Sequence, residues 1–410
     1  MIPHTATPDP ASPELDARFR SRAMALMFAV LLIMMIGFSV LFPIMPYYLR
    51  TFGADAGVMG LLAGLYSFMQ FLFSPIWGRL SDSKGRKPIL MIGLAGFVVS
   101  QLLFGLATQL WMLFFARTMA GILSAAALPT AMAYIADITR PEDRAKGMGV
   151  LGAAFGLGVI IGPGFGGALS HVSLSLPFFA SSALAAIALL GVFLYLPESL
   201  PRSSGAAPSP AKKTSRWGGF SRDMGALYAV TLMLSLGMAA LEVTFGFFSA
   251  DRLHLAADQT GWIFVVMGVV AVIVQGGLVG KLQKAFGEKK MMLGGRACAT
   301  LGMLAMTSSD GVIAATIAIS LIAAGSGLAR PSNAALISRR ARTGQGVAIG
   351  LMDSCDSLGR VVGPLIGGFL YLRGWTLPYA AGGALFFLTL LLAGIGIPAT
   401  ALDTPPRTAS

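Results

Sequence analysis

The chain has 410 residues, of which 55% are hydrophobic and 12% charged, and its mean hydropathy is +0.75. A soluble domain carries about a quarter charged residues, so this composition excludes an ordinary water-soluble enzyme as well as a disordered or fibrous chain. The net charge of +12 could indicate nucleic-acid binding, but the basic residues are spread over short segments between apolar runs. We therefore expect an all-α protein that crosses a lipid bilayer many times and does not bind nucleic acid.

Twelve apolar segments are long enough to cross the hydrocarbon core as helices, for which about 20 residues are needed. They lie at 24–49, 56–77, 88–107, 110–135, 147–169, 174–196, 225–249, 260–280, 289–307, 311–337, 346–372 and 376–399. Of the 30 Lys and Arg residues, 23 fall on one set of connections and tails and three on the other set. Because basic residues accumulate on the cytoplasmic side, we expect both termini to be cytoplasmic in a multi-pass protein of the cell membrane. The first segment is read as a retained span rather than a signal peptide.

The two halves of the sequence repeat one another. The loop that contains Gly78, Leu80, Gly85 and Lys87 recurs 202 residues later. A longer glycine pattern recurs at an offset of 201: Gly149, Gly158, Gly162, Pro163, Gly166 and Gly167 return as Gly350, Gly359, Gly363, Pro364, Gly367 and Gly368. Two six-helix halves with a site between them are typical of secondary transporters. We predict a tail at 1–23, a six-helix half at 24–197, a cytoplasmic linker at 198–224, a second half at 225–400 and a tail at 401–410.

These motifs resemble those of a known family. The Gly78–Lys87 loop looks like the loop signature of the major facilitator superfamily, and the Gly149–Gly167 pattern looks like the antiporter motif of its drug exporters. Within that superfamily the chain resembles the twelve-helix drug/proton antiporters. The stretch Leu234–Glu242 and the pair Arg330-Pro331 are most similar to the quinolone-type multidrug pumps, and the tetracycline/proton antiporters are a second likeness. The resemblance implies proton-coupled export of lipophilic, cationic or zwitterionic drugs by a monomer that needs no cofactor, driven by the proton gradient.

The loop after the second span predicts a conformational element. Asp82 can accept hydrogen bonds from a neighbouring helix N-terminus, where an anion is favoured. Asp137 and Arg144 would complete a charge cluster that locks the two halves in one state and releases them in the other. Ordinary solvated loop charges are the alternative. Lys284 stands where the first repeat has Asp82, so we expect this contact in the first half alone. The full set of predicted gating residues is Gly78, Asp82, Gly85, Arg86, Lys87, Asp137, Arg144, Gly158, Gly162, Pro163, Gly166, Gly167, Gly363 and Pro364.

Charged residues inside the spans should carry the chemistry, because each one is costly in lipid unless it is paired or hydrated. Glu242 lies well inside span seven, and a carboxyl group that moves between wet and dry surroundings can bind and release a proton. By resemblance it is the coupling carboxylate that also meets cationic substrates. Arg117 matches the arginine of span four that the family uses in proton transfer, and we expect it to bias a nearby carboxylate or to orient a water chain. A structural counter-charge is the alternative. Arg330 is expected to pair with Glu242.

Span eleven carries Asp353, Asp356 and Arg360 on one helical face, because spacings of three and four align side chains. The quinolone-type pumps place a second acid before the span-ten arginine, and here that position is Gly327. We expect Asp356 to pair with Arg360, and Asp353 to be a second protonation site. A purely structural cluster at the cytoplasmic mouth is the alternative. Arg296 is expected to reach the membrane surface from the end of span nine.

Apolar and amphipathic side chains predict a drug cavity between the halves, since flexible, apolar linings suit large lipophilic compounds. Gln70 matches the family's span-two glutamine. The predicted substrate-binding residues are Gln70, Glu242, Arg330, Phe38, Phe42, Phe68 and Phe245, and Tyr47, Tyr134 and Met267 are further candidates.

Two other functions remain open at this point. One is a transporter of the same fold that is dedicated to a single metabolite, sugar or lipid. The other is an intramembrane enzyme, which the sequence disfavours because all three histidines, His4, His171 and His254, lie outside the spans. We therefore predict neither an enzyme nor a metal site.

Overall fold

A computed structural model of the chain describes residues 13–140, 143–199, 222–341 and 345–396. These residues form helices joined by short connections, and no strand occurs among them. The predicted tail at 401–410 and most of the predicted linker lie outside the described residues, as does the start of the N-terminal tail. Helix α1 already begins at Pro13, eleven residues before the expected first span, and α7 begins at Arg222.

The described residues build twelve helical rods, which we number α1 to α12 in chain order. In the first half these are α1 (Pro13–Ser39, continued by Leu41–Arg50), α2 (Ala56–Lys84), α3 (Arg86–Gly105), α4 (Leu110–Leu123, Ser124–Ala126 and Ala127–Ile138), α5 (Arg144–Ser170) and α6 (Leu176–Tyr195). In the second half they are α7 (Arg222–Asp251), α8 (Ala257–Ile273, Val274–Leu278 and Val279–Phe286), α9 (Glu288–Met306), α10 (Val312–Arg340), α11 (Gln345–Arg373) and α12 (Leu377–Gly396).

Ten of these rods are long and apolar enough to cross a membrane, which confirms an all-α, multi-spanning protein among the described residues. The other two, α9 and α11, contain 19 and 29 residues, respectively. Each of them carries four charged side chains, so its apolar character is weaker. That all twelve rods cross the bilayer stays a prediction.

Each half has the same internal packing. Helix α1 lies against α5, and its counterpart α7 lies against α11. Glycines make these close approaches possible: Gly158 and Gly162 face the backbone of α1, and Gly359 and Gly363 face the backbone of α7. Small residues are the usual means by which membrane helices approach each other closely. The glycine pattern repeated at an offset of 201 therefore organises the core of each half.

The halves meet along two related helix pairs, α2 with α11 and α5 with α8. Gly60 lies against the carbonyl group of Pro364, and Gly261 lies against the carbonyl group of Pro163. Both the glycines and the prolines are separated by 201 residues, so the two contacts are copies of each other. The halves are therefore tightly packed at these two contacts, although most glycines of the motif pack inside their own half.

Two ends of the bundle are distinguished by charge. We call the end with the Arg79–Lys87 and Lys281–Lys290 connections the basic side, and the end with Arg50, Arg252 and Arg373 the opposite side. Contacts between the halves concentrate on the opposite side, where the first turns of α2 meet the last turns of α11. In this arrangement the space between the halves lies towards the basic side.

Candidate functional site

A cavity of about 430 Å³ separates the two halves. Its wall in the first half comes from α1, α2, α3, α4 and α5, and its wall in the second half comes from α11. The charged residues that line it are Asp353, Asp356 and Arg360, and they are accompanied by aromatic and methionine side chains of the first half. The cavity is thus mostly apolar with all of its charge on one wall.

Asp356 is the most heavily engaged acid of this wall. Its carboxylate accepts hydrogen bonds from Nη2 of Arg330 at 2.5 Å and from Nε of Arg360 at 2.9 Å. The hydroxyl group of Ser235 on α7 donates to the same carboxylate. The predicted pairing of Asp356 with Arg360 is therefore present. The predicted pairing of Arg330 with Glu242 is not, because Asp356 holds this arginine instead.

Glu242 lies in α7 and is partly buried. Its carboxyl group makes no hydrogen bond or ion pair with any residue that the structure describes. The charged groups that act on it electrostatically are Arg360, Arg330 and Asp356. An uncommitted carboxyl group of this kind is free to exchange a proton, but its coupling role stays a prediction.

Two of the predicted substrate-binding residues line this cavity, whereas the other five, Glu242, Arg330, Phe42, Phe68 and Phe245, do not. Phe38 and Gln70 line it, and Gln70 donates to the hydroxyl group of Tyr66 at 3.4 Å. Phe68 instead points out of the bundle and is 44% exposed, because it lies on the outer face of α2. Phe42 and Phe245 pack against Phe264, at ring-centroid distances of 6.1 and 5.3 Å, and belong to the core.

Sequence reasoning missed several lining residues that helical spacing indicates in hindsight. Leu31, Met34, Met35 and Phe38 follow one another at the spacing of a single helix face, as do Tyr66 and Gln70. Tyr47 and Tyr134 do not line the cavity. The hydroxyl group of Tyr47 donates to the carbonyl of Leu255 at 2.6 Å, and that of Tyr134 donates to the carbonyl of Pro197 at 3.0 Å.

Arg117 is buried in the first half, with 5% of its surface exposed. Its guanidinium group lies over the rings of Tyr66 and Phe104, at 5.0 and 5.5 Å from the ring centroids. No carboxylate pairs with it among the described residues, and its role in proton transfer stays a prediction. The quadrupole of the two rings provides the favourable contact instead.

Arg296 corrects a second expectation. Its side chain is fully buried between α7, α9 and α12 rather than extended to the membrane surface. Nη1 donates to the hydroxyl of Thr389 at 3.3 Å and Nη2 to the carbonyl of Val230 at 3.4 Å, while Nε has no partner. The hydropathy pattern places this residue near the end of α9, but it does not show which face of the helix it occupies.

On the basic side, the loop motif forms a cluster around Arg86. This guanidinium group binds Asp82 at 2.5 Å and Asp137 at 3.0 Å, and Glu198 accepts the backbone N–H groups of Arg86 and Lys87. All of these residues belong to the first half. Arg144 is exposed and makes no contact with the cluster, contrary to expectation. A latch role between the halves stays a prediction, since the structure holds the cluster inside one of them.

The second half contains the same contact with its charges exchanged. At an offset of 202 residues, Glu288 takes the place of Arg86 and Arg339 takes the place of Asp137. Glu288 is 3% exposed and pairs with Arg339 at 3.0 Å. The contact of Asp82 is not repeated, because Lys284 stands at its position; the pair that recurs is that of Arg86 with Asp137. When the two repeats are compared at single positions, the exchange of charges is not visible. It becomes visible when all charged positions of one repeat are compared with those of the other.

The opposite side is closed by polar contacts that sequence reasoning did not find. Arg50 of the first half forms an ion pair with Asp251 of the second half, and Tyr371 donates to the same carboxylate at 3.0 Å. His171 lies 3.1 Å from the carboxylate of Asp258 across the same boundary. These residues sit at helix ends, where single charges have no recognisable sequence pattern.

Comparisons with known proteins agree with this geometry. The family model of the Major Facilitator Superfamily matches residues 27–341 and 227–409. Multidrug resistance protein 2 of Bacillus subtilis is 31% identical over 370 residues, which cover 88% of this chain and 90% of that protein. The class C tetracycline resistance protein of Escherichia coli is 34% identical over 373 residues, covering 87% and 92%.

A solved structure shows the same fold at low sequence identity. A bacterial homologue of the human lysosomal transporter Spinster, in an inward-facing and unoccupied conformation, has a TM-score of 0.72 and 17% identity over 95% of this chain and 96% of that chain. The family match spans well over half of the chain, and the helical fold with its cavity between two halves agrees with it. The chain therefore belongs to the major facilitator superfamily and is a membrane transporter rather than an enzyme.

Proposed function

We propose that the chain is a proton-coupled exporter of lipophilic, cationic or zwitterionic drugs that works by alternating access in the cell membrane. The observation that carries this proposal is the cavity between the halves, which joins an apolar wall with Phe38 and Phe71 to an acidic wall with Asp353. An apolar pocket with a few convergent polar groups suits a lipophilic compound that bears one charge. The relatives named for multidrug and tetracycline resistance support the same substrate class.

Glu242 is the residue that we propose for proton coupling. It has no partner among the described residues, and it lies near the positively charged group formed by Asp356 with two arginines. An excess of positive charge nearby favours the ionised carboxylate, whereas loss of water favours the protonated form. A change in hydration during alternating access would therefore load and unload a proton. The protein would work as a monomer without a cofactor, with both termini in the cytoplasm.

The energy of the proton gradient is sufficient for such an exchange. One charge that moves through 100 mV releases about 2.3 kcal/mol, and a tenfold ratio requires about 1.4 kcal/mol. One proton entering at about 150 mV therefore sustains a gradient of a few hundredfold for a zwitterionic substrate, because one net charge moves in each cycle.

Ethidium efflux from energised cells tests the proposal. Wild-type protein should extrude the dye, a protonophore should stop extrusion, and Glu242→Gln should abolish it. Ser354→Ala is a matched control, because Ser354 lines the same cavity but bonds only to its own helix, at Gly350. Efflux that survives Glu242→Gln would remove the coupling role from Glu242. No efflux of any lipophilic cation by wild-type protein would contradict drug export and favour a transporter dedicated to one metabolite or lipid.

A further inference from the structure

A smaller cavity of about 200 Å³ lies beside the main one, inside the second half. We call it the side pocket and define it by Thr231, Arg330, Asn333, Asp353 and Asp356, which come from α7, α10 and α11. Asp353 and Asp356 line both cavities, so the two spaces share a wall. The side pocket is therefore adjacent to the main cavity.

Asp353 is the acid of this wall that remains available. It is exposed to the cavities and has no ion pair or hydrogen bond with the described residues. Asp356, one helical turn away, is occupied by Arg330, Arg360 and Ser235. Arg330 forms its ion pair with Asp356, at 2.5 Å, and acts on Asp353 only from a longer distance. The side pocket thus offers one free carboxylate to a cation.

Asn333 supplies a second acceptor to the same pocket. Its side chain is 3% exposed, and its Nδ2 donates to the carbonyl of Leu227 at 3.2 Å and to the hydroxyl of Thr231 at 2.8 Å. The bond to Leu227 fixes the orientation of the amide, since a carbonyl oxygen can accept only from the nitrogen. Oδ1 is left buried and without a hydrogen-bond donor. A buried acceptor in this state is destabilising by about 1–3 kcal/mol until a donor reaches it.

We propose that the side pocket receives the ammonium group of the transported compound, with Asp353 as the counter-ion and Oδ1 of Asn333 as a hydrogen-bond acceptor. The proposal rests on the drug-export function and adds to it a preference for lipophilic amines that keep at least one N–H group over quaternary cations. A quaternary ammonium group carries the same charge but has no hydrogen to donate to Oδ1. It would gain the attraction to Asp353 and leave Asn333 unsatisfied.

Binding to the purified full-length protein in lipid nanodiscs tests this directly. The probes are a naphthylbutyl primary ammonium and its N,N,N-trimethyl counterpart, which share the same apolar body. Wild-type protein should bind the primary amine about tenfold more tightly, as expected for one hydrogen bond to a charged group. Asn333→Leu should bring the two dissociation constants together, mainly by weakening the primary amine. Asp353→Asn should weaken both probes by about tenfold or more. Thr316→Ala should change neither, because Thr316 lies on α10, outside both cavities, and bonds to Val312 of its own helix.

The outcomes separate this proposal from the drug-export function. If wild-type protein binds both probes equally, or Asp353→Asn keeps wild-type affinity, the side pocket is not the ammonium site, although dye efflux can still occur. Since Asp353 is exposed, its variant should fold even if Asn333→Leu does not, so the counter-ion role is decided in either case. If neither probe binds and no dye is extruded, the drug-export function itself is wrong.

Discussion

The contact between Gly60 and the carbonyl group of Pro364 predicts that one methyl group can shift the balance between conformations. A Cβ atom at Gly60 would lie closer to that carbonyl oxygen than real side chains approach, and the blocking atom belongs to the backbone. Helices α2 and α11 would have to separate. Overpacking of this kind costs about 1–3 kcal/mol. If opening of the opposite side relieves it, Gly60→Ala should shift the equilibrium towards the open form about 5- to 150-fold.

The chain supplies a symmetry mate and a matched control. Gly261→Ala should have the same effect, because its Cβ would lie 2.5 Å from the carbonyl oxygen of Pro163. Gly149→Ala and Gly350→Ala are the controls, since nothing lies within 4 Å of a Cβ at either position. In all four variants, alanine favours the helical conformation over glycine by about 1 kcal/mol. This contribution is the same in the test and control variants, so it does not affect the difference between them.

Spin-label distances on the opposite side measure the shift. Labels at Thr51 and Ala256 report on the first and second halves, after Cys298 and Cys355 have been replaced by serine. We expect a longer distance to become populated in Gly60→Ala and not in Gly149→Ala. Identical distance distributions in the two variants would refute the argument that the Gly60 contact maintains closure.

Two further predictions concern buried charges in the second half. Arg296→Met should raise the thermal midpoint of the protein in detergent, because a fully buried charge that has only two long hydrogen bonds is costly to keep; a lower midpoint would show that Arg296 is stabilising. Arg339→Ala should lower the midpoint, corresponding to about 3–5 kcal/mol, because it leaves the carboxylate of Glu288, which is 3% exposed, without Arg339. The double variant Glu288→Arg with Arg339→Glu should recover most of the loss in thermal midpoint. A double variant whose midpoint is no higher than that of either single variant would contradict pairing.

Much of the fold could be predicted from the sequence, because lipid imposes simple requirements on length and hydropathy. The apolar segments correspond to helices α1 to α12, and the glycine repeat predicts close packing in both halves. Orientation around a helix axis was predicted less well. Phe68 and Arg296 lie on faces that hydropathy alone does not distinguish, since neighbouring helices and lipid are equally apolar.

The sequence predicted several residues of the candidate site, but not which of them form ion pairs with each other. Asp356 and Arg360 belong to one helix, so their spacing was enough to predict the contact. The partner of Arg330 depends on how α7, α10 and α11 lie relative to one another, because three acids, Glu242, Asp353 and Asp356, lie close enough to interact with it. Asn333 was missed because an unsatisfied oxygen becomes visible only when the whole environment of the amide is known.

The two halves contain equivalent ion pairs with reversed charges, and the position of these pairs affects how the protein responds to ionic strength. The pairs Arg86–Asp137 and Glu288–Arg339 each lie entirely within one half. Neither pair has to break when one half moves relative to the other. Screening by salt acts on exposed charges, and Arg339 is 54% exposed while Glu288 is 3% exposed. Salt should therefore lower the stability of each half as a unit, and these two pairs should leave the balance between conformations unchanged.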